Sequence, residues 1–399
     1  MRLVLGVWAL TGLAGSGVFA VLFNLYLLRL GHGPEFIGLI SAVGSVAHAL
    51  CCPVAGALGV RWGSRRLMLA GMSLGAMGSI LIPLADFVPV AWEPAWVLVA
   101  MMFSRLGYAL SMVNSTPFLT AATGPAERTY VFSIQSAVMP LTGFAGSLVG
   151  GLLPGIFAGA AGLSLQDPAP YRYALLLAAL LLIPTVPMLL ATRQAEGRRE
   201  EGRATERGPA PFVLMSLLTL VMILRWAGRG PTVTFFNVYL DAELKTSTAM
   251  IGMLTAIGNL VAVPSALVMP LVVARWGLFR TLVCGSAGMV VCLLPLALVP
   301  HWAAAGFGFI GTLALFGITS PTITVLSQEM VTPGWRPAMS GVMNMSVGLG
   351  TAAMALGGGY AIASLGYRTV FLASAGFMAT GTLLFWAYFR VPRGELAKK

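Results

Sequence analysis

The sequence is built almost entirely from long apolar segments that are separated by short polar turns. A helix that crosses a bilayer needs about 20 mostly apolar residues. Twelve such segments follow one another, with approximate limits 3–28, 36–60, 66–88, 94–121, 129–160, 171–192, 211–240, 247–274, 278–300, 303–331, 337–364 and 368–391. An open strand cannot satisfy its backbone hydrogen bonds in lipid. We therefore predict an all-α membrane protein with twelve transmembrane helices.

Charged residues are few and are distributed unevenly between the two sides of the predicted bundle. They make up 9% of the 399 residues, against roughly 25% in soluble domains, which excludes a water-soluble fold. Of the 24 Lys and Arg residues, 17 lie at one set of helix ends or in the loop after the sixth segment, and 4 lie at the opposite ends. Cytoplasmic loops carry the excess of Lys and Arg. We therefore expect a multi-pass protein of the cytoplasmic (inner) membrane with both termini in the cytoplasm.

This asymmetry also accounts for the net charge of +11. The basic residues face a lipid bilayer, whose anionic head groups attract them. We therefore expect no nucleic acid partner.

Short motifs recur in the same order in the two halves of the chain. FNLYL at 23–27 matches FNVYL at 236–240, IGLISAVG at 37–44 matches IGMLTAIG at 251–258, and RWG at 61–63 recurs at 275–277. These matches indicate a duplicated six-helix unit. We predict an N-terminal bundle at 1–192, a cytoplasmic linker at 193–210 and a C-terminal bundle at 211–399.

Each RWG triplet lies in the turn between the second and third helix of its half. A glycine permits a tight reversal of the chain. The arginine can meet anionic head groups, and the tryptophan is suited to the membrane interface.

The region around the first triplet resembles the major facilitator superfamily, whose loop after the second helix reads G-x-L-a-D-r-x-G-r-k. The matching residues are Gly56, Leu58, Arg61, Gly63 and Arg65. The acidic residue of the family falls on Val60 here and on Ala274 in the second half, so the family's charge relay lacks its acid. The resemblance implies gating loops that contain Gly56, Arg61, Gly63, Arg65, Arg275, Gly277 and Arg280.

The resemblance also implies a fold and a type of activity. The superfamily has two six-helix bundles, and its first, fourth, seventh and tenth helices line a central cavity. Its members are secondary transporters that carry a small-molecule substrate by alternating access. No cofactor is implied, and the sequence contains no nucleotide-binding motif. An ion gradient or an exchanged solute would supply the energy, and we expect a monomer.

Three arginines lie near the middle of predicted spans, where ionisable groups are costly and usually functional. These are Arg105 in the fourth span and Arg225 and Arg229 in the seventh. Because the carboxylates lie near span ends, we predict a positively charged site for an anionic or zwitterionic, amphipathic solute. Arg225 and Arg105 are expected to hold the solute, with Arg229 assisting. Further candidate contacts are Asn114, Gln135, Asn259 and Asn344.

Two alternative functions are compatible with the same family. In a proton-coupled multidrug antiporter, Arg105 in SRLGYALS would take the place of the family's arginine, and His48 is a second candidate proton-linked residue. A glycine run on the fifth helix resembles the antiporter motif, although small residues also permit close helix packing. The run comprises Gly143, Gly146, Gly150 and Gly151. A lipid or lysolipid flippase is the second alternative, because this superfamily also moves lipids.

An enzyme is not expected. The segment GMSLG at 71–75 matches G-x-S-x-G, but it lies within an apolar helix, whereas the motif requires a strand-to-helix turn. We interpret Gly71 and Gly75 as packing residues. The sequence contains three histidines and no clustered metal ligands, so no metal site is predicted.

Overall fold

The structure, a computed structural model, describes residues 2–123, 125–192 and 211–391. These residues are almost entirely helical, and no strand occurs among them. Ten continuous stretches within the described ranges are long and apolar enough to cross a membrane. The predicted linker at 193–210 lies outside the described residues.

The first half of the chain contributes six of these stretches. They are α1 (Leu3–Arg29), α2 (Pro34–Trp62), α3 (Ser64–Phe87), α4 (Glu93–Ala122), α5 (Pro125–Ala161) and α6 (Ala169–Leu190). The last turns of α3, Ile82–Phe87, are a 3₁₀-helix.

The second half contains two stretches that are too long for a single crossing, Thr248–Leu298 and Arg336–Phe389. Each is broken by one glycine with a left-handed backbone, Gly277 (φ 75°) and Gly366 (φ 81°). The helices of this half are α7 (Phe212–Ala242), α8 (248–276), α9 (278–298), α10 (Trp302–Glu329), α11 (336–365) and α12 (367–389). The described part of the chain therefore has the twelve predicted crossings.

The two RWG turns have similar backbone conformations. Gly63 has φ 91° and ψ 135°, and Gly277 has φ 75° and ψ 163°, a positive-φ, extended region that costs residues with a Cβ about 1–3 kcal/mol. The tryptophans beside them, Trp62 and Trp276, are 53% and 51% exposed. The prediction that glycine makes the reversal in both halves is confirmed.

Two compact units make up the fold. Among the described residues, the first contains those before 193 together with Asn237–Leu260, and the second contains 211–236 and 261–391. The end of α7 and the first part of α8 therefore belong to the first unit, although the repeat assigns them to the second half of the chain. The division into bundles at 1–192 and 211–399 rests on the repeat and stays a prediction.

Each unit has an apolar interior. In the first, Trp8, Met68 and Leu189 are buried in one cluster, and in the second Leu218 and Phe385 belong to another. Large apolar side chains also cover the outside of the spans, because lipid rather than water is the expected solvent there.

Candidate functional site

The first unit contains a polar cluster near the middle of α2 and α4. The rings of His48 and Tyr108 lie 5.6 Å apart, centroid to centroid. The Nε2 atom of His48 lies 3.5 Å from the Sγ atom of Cys52. Arg105, one turn before Tyr108, is exposed and lies within electrostatic reach of His48. The two residues predicted to be proton-linked, His48 and Arg105, are therefore neighbours.

Close contacts between helices hold this cluster in position. A Cβ added to Gly44 on α2 would lie 3.1 Å from the Cγ atom of Arg105. A Cβ added to Gly107 on α4 would lie 2.3 Å from the backbone nitrogen of Gly75, and one added to Gly71 would lie 2.7 Å from the Gly107 carbonyl oxygen. The α3 and α4 backbones are therefore in direct contact, which confirms the packing role of Gly71. A Cβ added to Gly75 would itself lie 3.9 Å from the nearest atoms, an ordinary contact distance.

Arg225 lies in the interior of the second unit and is 6% exposed. Its Nη1 group donates a hydrogen bond to the Ser286 hydroxyl on α9. That hydroxyl in turn donates to the Leu282 carbonyl oxygen at 2.6 Å. Arg225 is therefore held by a short polar chain between α7 and α9.

Arg229, one turn later on α7, is partly exposed and contacts aromatic rings. Its Cζ atom lies 3.7 Å from the centroid of the Phe316 ring on α10 and 5.2 Å from that of Trp226. Sequence reasoning missed Phe316, because no local pattern links α10 to α7. Trp226 could have been found, since residues three apart share a helix face.

No ion pair within the described residues includes Arg105, Arg225 or Arg229. The described acidic side chains lie at helix ends or in turns, at Glu35, Asp86, Glu93, Asp167, Asp241, Glu243 and Glu329. The same ranges contain no group of three or more His, Cys, Asp or Glu residues that could hold a metal ion. The mid-span arginines can therefore donate hydrogen bonds and positive charge to a ligand.

Two of the predicted amide contacts join helices of the first unit. Asn114 is 1% exposed and donates to the Ala55 carbonyl oxygen at 3.1 Å, which links α4 to α2. Asn259 on α8 donates to the Ser147 hydroxyl at 3.2 Å and to the Ser16 carbonyl oxygen at 3.4 Å. Both amides are engaged in helix packing, and their contact with a solute stays a prediction.

The other two predicted amides lie outside these clusters. Asn344 on α11 is exposed and donates to the Ser340 carbonyl oxygen of its own helix at 3.0 Å. Gln135 on α5 is partly buried. Their solute contacts also remain predictions.

The glycine run of α5 packs against an unusual part of α1. Gly12–Phe19 form a π-helix, and a Cβ added to Gly146 would lie 2.1 Å from the Leu13 carbonyl oxygen. A Cβ added to Gly151 would lie 2.9 Å from the Cα atom of Gly252 on α8. The predicted packing role of these glycines is confirmed, whereas the antiporter assignment stays a prediction. Sequence reasoning did not find the π-helix.

Polar pairs at helix ends of the first unit were also missed. The Arg29–Asp241 ion pair joins the end of α1 to the end of α7, and the Arg172–Asp86 ion pair joins the start of α6 to the end of α3. The Nε2 atom of His32, in the turn after α1, lies 2.8 Å from the Oε1 atom of Glu93 at the start of α4.

The first predicted gating loop is partly tied to its own unit. The Arg65 Nη2 group donates to the Leu190 carbonyl oxygen at the end of α6, at 2.5 Å, whereas Arg61 is exposed. A Cβ added to Gly56 would lie 3.7 Å from Val113, an ordinary contact distance.

In the second loop, Arg275, Gly277 and Arg280 are all exposed. The positions of the family's acid are exposed as well, at Val60 (80%) and Ala274. The gating function of both loops stays a prediction.

Comparison with known proteins identifies relatives across the whole chain. The sequence profile of the Major Facilitator Superfamily matches residues 5–220 and 218–399. The tetracycline resistance protein, class C, of Escherichia coli is 26% identical over 306 residues, which cover 74% of this chain and 72% of the relative. The class G protein of Vibrio anguillarum is 24% identical over 334 residues, covering 80% and 79%.

Solved structures of transporters have the same fold. The inward-open xylose transporter of E. coli superposes with a TM-score of 0.78 at 12% identity, over 99% of this chain and 98% of that one. A nucleoside transporter superposes with a TM-score of 0.72 at 14% identity, over 98% and 100%.

Proposed function

The chain belongs to the major facilitator superfamily, and on this premise we propose that it transports a small, amphipathic organic solute that is anionic or zwitterionic. A secondary transporter is what the family and the fold support. In the proposal, the two repeats rock about a midplane site in a cytoplasmic membrane, with both termini in the cytoplasm and the protein acting as a monomer.

The single observation that carries the proposal is the set of mid-span arginines without acidic partners. An arginine at the centre of a span costs roughly 2.5–3.5 kcal/mol on insertion scales. Within the described residues, Arg105, Arg225 and Arg229 have no carboxylate that would offset this cost. A carboxylate, phosphate or sulfonate on the solute would offset it through charge-assisted hydrogen bonds.

A second candidate, a proton-coupled multidrug antiporter, is favoured by the neighbouring His48 and Arg105. A histidine can exchange protons near neutral pH. A nearby arginine disfavours the protonated, charged form of the histidine, and an anion that binds there would favour it. Two relatives are named for tetracycline resistance, so tetracycline is the first drug to test. In this mechanism His48→Gln would abolish transport driven by a proton gradient but leave exchange of one solute molecule for another intact.

Transport by the purified protein in liposomes would test the proposal. Uptake should be compared for amphipathic organic acids, for cationic drugs, for tetracycline and for a fluorescent lysolipid. Arg105→Gln and Arg225→Gln should weaken acid binding by about 10- to 100-fold, because hydrogen bonds to charged groups contribute about 1.5–3 kcal/mol. Arg105→Lys should also impair transport, because lysine lacks the planar fork.

Arg368→Gln is the matched control, since it removes an exposed arginine from the start of α12 and should leave uptake unchanged. If only cations are carried, or if Arg225→Gln and Arg105→Gln both leave acid transport intact, the anion proposal is wrong. Movement of the lysolipid alone would instead support a flippase.

A further inference from the structure

The two arginines of α7 have different surroundings although they share a helix face. Arg225 is 6% exposed and bonded to Ser286. Arg229 is partly exposed and lies over the ring of Phe316. The sequence favours Arg225 as the main anion contact, but this side chain is already hydrogen-bonded within the protein. Arg229, predicted to assist it, instead lies on an aromatic ring.

The Cζ atom of Arg229 lies 3.7 Å from the centroid of the Phe316 ring. Because this is a stacking distance, the guanidinium meets the ring through its face, and its edge is left for hydrogen bonds. The five N–H donors of a guanidinium lie in its plane, so a stack does not consume them. A carboxylate partner within the protein would have occupied these donors. Phe316 thus stabilises the charge while the donors stay available for a ligand.

The aromatic surface is itself held in a fixed arrangement. The Trp226 and Phe316 rings meet edge to face, with centroids 5.4 Å apart and an angle of 77°. Gly350 of α11 also allows Trp226 to pack closely, because a Cβ there would lie 2.9 Å from the Trp226 Cβ atom. Fixed rings restrict the rotation of Arg229, and such preorganisation lowers the entropy lost when a ligand binds.

We propose that Arg229, Trp226 and Phe316 form an acid-binding subsite in the second unit that selects flat, conjugated carboxylic acids. Arg229 binds the carboxylate with its planar fork, and the Phe316 ring supports one face of that fork. A flat ring conjugated to the carboxylate continues in the plane of the fork and lies along the Phe316 face, whereas a puckered ring collides with it. Phe316 is a positioning residue, and Arg225 supplies a fixed positive charge. The subsite rests on the proposed function, because it requires an anionic solute.

The test uses two acids with the same charge and carbon skeleton, 2-naphthoate and decahydro-2-naphthoate. Calorimetry measures the affinity of each for the purified full chain in detergent, and protein-free micelles correct for partitioning. We expect the wild-type protein to bind the flat acid about tenfold more tightly, the effect of one good aromatic contact. Phe316→Leu should remove this preference, and Phe316→Tyr should keep it.

The arginine variants separate the two roles. Arg229→Lys should bind the two acids with equal affinity, so that the roughly tenfold preference for the flat acid is lost, since an ammonium group has no planar fork. Arg225→Gln should weaken the binding of both acids by the same factor and leave the ratio of their affinities unchanged. The thermal unfolding temperature identifies variants that fail to fold. If Phe316→Leu is among them, Phe316→Tyr and Arg229→Lys still test the subsite.

The possible failures are distinguishable. If the wild type binds both acids equally, or if a folded Phe316→Leu or Arg229→Lys variant keeps the preference, the subsite is refuted while anion transport stands. If Arg225→Gln changes the ratio and Arg229→Lys does not, the assigned roles are wrong. Binding of cationic amphiphiles but of neither acid refutes the proposed anion specificity and the subsite together.

Discussion

Replacing Asp241 by asparagine tests the ion pair that joins the end of α1 to the end of α7 in the first unit. The Arg29 Nη1 group donates to Asp241 Oδ2 at 2.8 Å, and Nη2 donates to Oδ1 at 2.7 Å. Both side chains are 11% exposed. The Arg29 Nε group also donates to the Leu165 carbonyl oxygen at 2.9 Å, and Nη2 donates to the Tyr171 hydroxyl at 3.2 Å. Arg29 therefore keeps two hydrogen-bond partners when the carboxylate is removed.

The burial and geometry of this pair determine the expected energy. Exposed ion pairs contribute about 0.2–1 kcal/mol, whereas removing one partner of a fully buried pair destabilises a protein by about 3–5 kcal/mol. The pair is bidentate and mostly shielded from water, but Arg29 retains neutral partners. We expect Asp241→Asn to lower the free energy of unfolding by about 2 kcal/mol, and a double-mutant cycle with Arg29→Gln to give a coupling energy of about 1.5–2 kcal/mol.

Equilibrium unfolding in mixed micelles of dodecyl maltoside and SDS would measure this coupling in the wild type, both single variants and the double variant. Exchanging the charges, with Arg29→Asp and Asp241→Arg together, should restore part of the stability that either single exchange removes. Arg368→Gln is the control, because that arginine is exposed. A coupling energy below about 0.5 kcal/mol would mean that the pair contributes no more than an exposed one, and it would refute the reasoning.

Helix packing, backbone conformation and membrane orientation each lead to one further prediction. Gly146→Ala should destabilise the protein by about 1–3 kcal/mol, because its Cβ would lie 2.1 Å from a backbone oxygen, whereas Gly155→Ala on the same helix meets nothing within 4 Å and should be neutral in the same assay. Gly277→Ala should lower the free energy of unfolding by about 1–3 kcal/mol, because Gly277 has φ 75° and ψ 163°, a conformation that a residue with a Cβ rarely adopts; an unchanged value would contradict the need for glycine at this turn. A single cysteine at Ser64 should react with impermeant reagents only from the cytoplasm, and one at Pro89 only from outside. Labelling of the cysteine at Ser64 in intact cells would contradict the proposed orientation.

The class of protein and the order of its helices follow from the sequence because both depend on local constraints. A span must be long and apolar wherever it lies in the bundle, so the twelve segments could be read one by one. The left-handed turns at Gly63 and Gly277 were predictable for the same reason, since the need for glycine depends on the turn itself. The mid-span position of the arginines was visible as a departure from the apolar pattern.

The partners of the polar side chains were decided by the tertiary structure. Helical periodicity places Arg225 and Arg229 on one face of α7, yet one is bonded to Ser286 and the other is stacked on Phe316. The sequence did contain one signal for the Arg29–Asp241 ion pair. The repeat aligns Asp241 with the residue just before Arg29, so the two opposite charges lie at equivalent helix ends of the two halves.

Residues of the same type in similar spans also have different surroundings. Asn114 and Asn344 are amides within apolar spans, but Asn114 is buried between α2 and α4 while Asn344 is exposed on α11. The period of a helix determines which face a side chain occupies. It carries no information about which helix, from a distant part of the chain, packs against that face. That choice depends on the contacts of the whole fold, and it decides whether a polar side chain is bonded within the protein or displayed to a solute.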